Sequence, residues 1–315
     1  FPVSRLSPNR VSRRRPGPRL FYAGPQRDGQ QRFFPFASHI TTDRRLALEL
    51  DRAKVLDYSL IKTYTRMPVT REARTIRAAH RLGLPVSSHE IYPAFALGGD
   101  RVEHLRGTSR LGWSAKQSDG LRMYNDVVQI VGASGATIVP TLVVSGGFLD
   151  LLLRYPELDA LPQYGAFYSE PDRRALRALA GLASRKRTLL DAGLANSRQA
   201  VRDLAAAGAR VIAGTDAPIF PYGLSLLAEL RALRDAGLPG DAVLRAATSD
   251  AAAAIGAGDQ LGRIAPGMLA DLLIVAGDPL ADPLELTRLE MVLINGVPGP
   301  RATLPALASA RLQAP

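Results

Sequence analysis

The sequence predicts an α/β fold: an incomplete TIM-like (β/α)8 barrel followed by a segment of a small β-domain. Three observations predict it. Strand-like and helix-like runs alternate from residue 19 to 257, the beat of parallel strands joined by right-handed crossovers. Several apolar runs end in a residue of metal-ligand type: LIKTY at Lys62, LPVSSHE at His89, DRVEHL at His104 and RVIAGTD at Asp216. In α/β barrels, chemistry sits at that C-terminal edge. From residue 258 the helical period gives way to GRIAPGMLADLLIVAGDPL and LEMVLINGVP, β-type runs punctuated by Gly, Pro and Asn-Gly.

The elements follow in order. Residues 1–18 are rich in Pro, Arg and Ser and lack periodicity, so they read as irregular. RLFYAG (19–24) reads as a strand, and a loop runs on through His39. Residues 42–56 carry apolar positions at helical spacing, with Thr41 or Thr42 as the cap. A strand at 58–64 and a helix at 69–82 follow, the helix ended by Gly83. Then come a strand at 84–90, a helical turn at 92–97 and a strand at 100–105. Beyond a polar loop lie a helix at 121–134, a strand at 136–142 and a Leu- and Ala-rich region, 146–208, that holds several helices. A last strand around 209–218 precedes helices at 224–236 and 241–255. Barrel-type strands thus fall near 20, 60, 87, 103, 139 and 212. A closed barrel needs eight, so the first two are expected upstream of Phe1. The expected divisions are an irregular segment 1–18, the partial barrel 19–257, the β segment 258–300 and a tail 301–315.

Composition narrows the function. A chain of 315 residues can hold one large domain with a small appendage. There is no run of 18 apolar residues, so no membrane span is expected. Cys is absent, which excludes disulfides and thiolate zinc sites. Any metal must be held by His, carboxylate or a modified Lys. The net charge of +11 comes almost entirely from Arg interleaved with Asp and Glu. That pattern reads as compositional bias, and no nucleic-acid partner is expected.

The segments IKTYTR around Lys62, VSSHE around His89, DRVEHLRGTSRLGWSAKQS around His104 and AGTDAPIFPYGLSLLAELRAL around Asp216 carry a resemblance, as does LGRIAPGMLADLLIVAGDPLAD in the tail. Over residues 18–298 the chain resembles the C-terminal two-thirds of an amidohydrolase-superfamily protein, of the imidazolonepropionase-like and prolidase-like branch sometimes fused behind a TolB-like propeller. The resemblance implies that Lys62 is carboxylated and bridges two divalent metals, since a free ammonium cannot bind a cation. It implies that His89 and His104 ligate the second metal. Asp216 would ligate the first metal and serve as general acid/base. It makes the tail part of a returning β-sandwich. Zinc is the expected ion, because imidazole and carboxylate suit it. The family's first metal also needs a His-x-His pair. His39, His80, His89 and His104 are the only histidines and none are so spaced, so that pair is expected upstream of this chain.

Neighbouring residues extend the reading. Lys62 follows Leu60 and Ile61, where an unmodified ammonium would be costly. His80, beside Arg81 on a helix, reads as exposed. Alternation turns Tyr64 to the side of Lys62 and Glu90 and Glu103 away from the ligands. Tyr64, Arg106, Tyr222 and His39 are the candidate substrate-binding residues. The expected function is metal-dependent hydrolysis of a carbon-nitrogen bond in a cyclic or peptide-like amide by metal-activated hydroxide. The alternatives are a lactonase or phosphotriesterase, or a non-catalytic barrel serving as an interaction scaffold. The truncated chain alone is expected to bind metal weakly and to be inactive. Its oligomeric state is open, and the propeller-fused relatives lean the location toward the periplasm or exterior.

Overall fold

The structure is a computed structural model that describes residues 19–105, 118, 122–161, 164 and 169–300. Short parallel strands position the site. β1 (Arg27–Asp28) and β2 (Ser38–His39) pair in parallel, and a bridge from Arg27 to Thr63 joins β1 to the main sheet. That sheet contains β3 (Ile61–Lys62), β4 (Val86–Ser88), β5 (Arg101–Glu103), β6 (Thr137–Val139) and β7 (Arg210–Val211), side by side in chain order.

Two expectations need correction here. RLFYAG forms no strand, and His39 lies on β2 rather than in a loop. The reason is the buried Asp28 carboxylate. It accepts the N–H groups of Gly29, Phe33 and Arg66 at 2.8–2.9 Å, which fixes where the chain pairs and turns. Residues before it serve packing instead: the Tyr22 ring meets Tyr58 edge-on at 5.4 Å, and its hydroxyl donates to the Leu56 carbonyl.

The helices follow local signals. α1 (Asp43–Val55) is capped by Thr42, whose hydroxyl oxygen accepts the Arg45 N–H at 3.1 Å. α2 (Val69–His80) is followed by Gly83 at φ +69. α3 spans Asn125–Ser134, starting later than the expected 121. The Leu- and Ala-rich region holds α4 (Phe148–Arg154), α5 (Glu170–Arg185) and α6 (Arg187–Ala206), with a π-turn at Val143–Gly147 before α4. α7 (Leu224–Asp235) follows. The expected helix over 241–255 is instead two, α8 (Gly240–Ala247) and α9 (Ser249–Ala254), because Thr248 leaves helical geometry at φ −127, ψ −97.

Strand alternation sorts the side chains. Ile61 and Val86 pack under α1 and α2 against Leu46, Leu50, Ile76 and Ala79. Val102, Ile138 and Val211 pack with Val131 of α3, Val201 and Leu204 of α6 and Leu233 of α7. Each such fully buried aliphatic side chain is worth roughly 1.5–3 kcal/mol. Lys62, Ser87, Arg101 and Glu103 therefore face the other side of the sheet.

Ion pairs lock the helical layer. Asp150 on α4, 2 % exposed, receives Arg187 and Arg198 at 2.9 and 2.8 Å. Arg198 also reaches Asp235 on α7, and Arg231 bridges Asp235 to Asp282 in the tail. Several of the arginines are thus paired locally. The tail is antiparallel: β8 (Leu272–Val275), β9 (Leu289–Ile294) and β10 (Val297–Pro300), in the order β10-β9-β8. Asn295 and Gly296, at φ +52 and +75, close the β9–β10 hairpin with the backbone that Asn-Gly favours. Among the described residues no helix is long and apolar enough to cross a membrane.

Candidate active site

The site forms where β3, β4, β5 and β7 end. Lys62 is on β3 with its side chain 12 % exposed, and its Nζ is 3.9 Å from Glu103 Oε1. That nitrogen is buried without a hydrogen-bond partner. Burial pushes the Lys62 amine down to about 8, with Arg101 adding to the effect and Glu103 and Asp216 opposing it.

Glu103 was expected to point away and does not. It shares the face of Lys62, accepts from Arg101 Nε at 3.1 Å and accepts the Ser87 hydroxyl. Burial pushes its carboxyl up, but Lys62, Arg101, the Ser87 hydrogen bond and His104 outweigh burial and hold it at about 2. The alternation rule fails at the next residue. His104 sits just past β5 in the left-handed region, φ +63, so its ring returns to the side of Glu103.

His89 follows β4 and is 7 % exposed. Its ring lies 4.5 Å from the Tyr64 ring and 4.7 Å, edge-on, from the His104 ring. The Nδ1 of His104 is 2.7 Å from Thr141 Oγ1, and its Nε2 is 3.9 Å from Asp216 Oδ2. Asp216 follows β7 on a turn with φ +51, and its side chain is 41 % exposed. Burial raises its carboxyl above the usual range, Lys62 opposes this and Glu103 adds to it. Gly214 lets this turn lie against the sheet: a Cβ there would come within 2.3 Å of Val139 Cγ1.

The structure therefore brings Lys62, His89, His104 and Asp216 into one linked group, with Tyr64 beside it. His39 instead lines a cavity of about 620 Å³ with Tyr22, Arg45, Arg52 and Tyr58. Tyr222 is in the loop beyond Asp216 and is 62 % exposed. Arg106 lies outside the described residues. His80 pairs with Asp100 at 2.9 Å on the outer helix α2. A second cavity, about 640 Å³, opens at the opposite edge between Leu84, Asp100, Thr137 and Arg210 and does not include the group. Sequence reasoning missed Glu103 and Thr141. Only the spacing of Arg101 and Glu103, two apart on one strand face, hinted at the first.

The donor chemistry suits a divalent cation: two imidazoles, one carboxylate and a buried amine lacking a partner. Among the described residues no three His, Asp or Glu side chains close on a single point.

Residues 74–298 match the profile described as the amidohydrolase family. Among solved structures, the fold is similar to a bottromycin amidohydrolase with a TM-score of 0.68 and 25 % identity, over 94 % of this chain and 68 % of that one. It is also similar to a Xaa-Pro dipeptidase with methionine bound in its active site, with a TM-score of 0.63 and 17 % identity over 93 % and 71 % of the two chains. A third is an A. niger ochratoxinase, with a TM-score of 0.57 and 16 % identity over 89 % and 65 %. No curated protein sequence matches.

Proposed function

We propose, from the premise that the chain belongs to the amidohydrolase family and is an amidohydrolase-type enzyme, that it is built for metal-dependent hydrolysis of a cyclic or peptide-like amide. The observation that carries this reading is the meeting of His89, His104, Asp216 and Lys62 at the C-terminal strand ends. The parallel sheet is read as an arc of a TIM-like barrel and the antiparallel tail as one piece of a β-sandwich.

His89, His104 and Asp216 would hold the ion, zinc being the best match to imidazole and carboxylate donors. Lys62 would join them as a carbamate. Carbamylation would remove the cost of a buried ammonium that has no hydrogen-bond partner, and a bound cation would offset the adjacent Glu103 charge. A bound ion would supply Lewis-acid chemistry, polarising the amide carbonyl and lowering the pKa of water to about 7. Asp216 would take a proton from the attacking water and return it to the leaving nitrogen. Its partial exposure leaves it open to substrate. Tyr64, whose ring lies against that of His89, and Tyr222, exposed in the loop beyond Asp216, would contact the substrate, and Arg106 is kept as a candidate from its place in the sequence alone. Exposed apolar side chains in the loops beyond β1, β4 and β7, namely Phe33, Phe36, Tyr92 and Ile219, support a substrate with apolar groups. The likeness to a bottromycin amidohydrolase supports a peptide-like amide. The branch resemblance also supports an exported protein.

The test is zinc analysis of the full chain and of His104→Ala and Asp216→Asn, with hydrolysis assayed on dipeptides, cyclic amides and lactones. Weak zinc binding that is lost in both variants is expected, and any amide cleavage should be sensitive to chelator. Unchanged zinc in both would overturn the ligand assignment. Cleavage of lactones alone would move the substrate to esters.

A further inference from the structure

We propose that Glu229 is a positioning residue for His104, acting through Thr141. Its carboxyl group clamps the turn at residues 141–143, and that turn holds the His104 ring with a proton on Nδ1 and a lone pair on Nε2.

Glu229 lies on α7 and is fully buried. Its Oε2 accepts the Val143 N–H at 2.9 Å, a contact spanning 86 residues. The N–H groups of Leu142 and Thr141 also bear on this carboxyl. Its Oε1 is buried without a hydrogen-bond partner. A carboxyl so placed is costly for the fold. The apolar part of α7 packs through other residues, Leu230 and Leu233 on one core cluster and Leu224 and Leu227 on another.

The clamped turn is one that needs holding. Thr141 is β-branched yet sits at φ +47, a region such residues rarely enter. Its hydroxyl donates to the Pro140 carbonyl at 2.8 Å. That proton being committed, Thr141 Oγ1 faces His104 Nδ1, 2.7 Å away, as an acceptor. Nδ1 therefore carries the ring proton and Nε2 the lone pair. The lone pair is directed toward Asp216 Oδ2 at 3.9 Å. Two electron-rich atoms facing each other define a place for a cation, and a hydrogen bond behind a ligating His is how its tautomer is set. The proposal rests on the hydrolase reading only for the use made of that lone pair.

The experiment reads the tautomer and needs no turnover. The full chain is labelled with ¹⁵N-histidine, stripped with EDTA and held at pH 8. With four histidines in the chain, each ring is assigned by a single His→Gln variant. The unmodified chain should show His104 protonated on Nδ1. Thr141→Val and Glu229→Met should each lower the ratio of Nδ1-protonated to Nε2-protonated ring about five- to tenfold, the population change expected from one ordinary hydrogen bond. Glu229→Gln, which keeps an acceptor for Val143, should restore the ratio to within about twofold. His89 serves as the control for a general disturbance. An unmoved ratio in Glu229→Met beside a changed one in Thr141→Val would overturn the role of Glu229. An unmoved ratio in both would overturn the whole relay. Should Glu229→Met fail to fold, amide exchange at Val143 in the unmodified chain decides: protection like that of α7 is expected, and loop-like exchange would remove the clamp. Failed hydrolysis with an intact tautomer relay would count against the hydrolase reading alone.

Discussion

Glu229→Gln should change how the stability of this chain depends on pH. Burial pushes the Glu229 carboxyl up to about 8 from its usual 4.5, against the downward pull of three backbone N–H groups. Between those two values the folded state keeps the proton and the unfolded state has released it. The unfolded state then binds fewer protons, so unfolding free energy falls as pH rises. The gap of roughly 3.5 pH units, at about 1.36 kcal/mol each, sets an upper limit of about 5 kcal/mol. That stability is fully present below about pH 4.5 and is lost as pH climbs to about 8. Glutamine cannot ionise and should not lose it. Urea unfolding of both proteins at pH 5, 6, 7 and 8 is the assay. The two should be close at pH 5, and the variant should lead by several kcal/mol at pH 8. Parallel pH profiles would refute the reasoning, because they would mean that Glu229 ionises as freely in the fold as in the open chain.

Three further outcomes follow from the same geometry. Asp150→Asn should cost about 1–2 kcal/mol in thermal or urea unfolding, since it weakens the charge-assisted hydrogen bonds from Arg187 and Arg198 at 2.9 and 2.8 Å while leaving them Asp191 and Asp235; a change below about 0.5 kcal/mol would show the network to be idle. Lys62→Met should leave stability unchanged or raise it by about 1 kcal/mol, because the amine is buried without a hydrogen-bond partner, while bound zinc falls. A loss of stability with zinc retained would reverse that assignment. Gly214→Ala should force the Asp216 turn off Val139, where the added Cβ would lie 2.3 Å from Cγ1. Calorimetry should show zinc affinity at least about tenfold weaker, with a stability loss of about 1–3 kcal/mol.

Much of the fold was legible because its signals are short-range. The Thr42 cap, Gly83 and the Asn295–Gly296 hairpin each depend on a few adjacent residues. So does the placement of Lys62, His89 and His104 at or just past strand ends. The misreadings share one cause. The true position of β1 depends on Asp28 reaching Arg66, 38 residues away. His39 moved into β2 with it, and the left-handed backbone at His104 brings its ring to the side of Glu103, which the alternation rule had set apart. The break at Thr248 left no mark in the apolar spacing.

The sequence by itself determined the alternation of elements, the absence of thiol chemistry and the residue types at the strand ends, because periodicity, capping and composition are local properties. Tertiary structure decided which of those residues meet. The Lys62–Glu103 pair, the His104–Thr141 hydrogen bond across 37 residues and the Glu229–Val143 clamp across 86 exist only once helices have packed on the sheet. Burial then alters the charges that the sequence merely names: it lowers Lys62 and raises Glu229 because a low-dielectric interior disfavours whichever form is ionised.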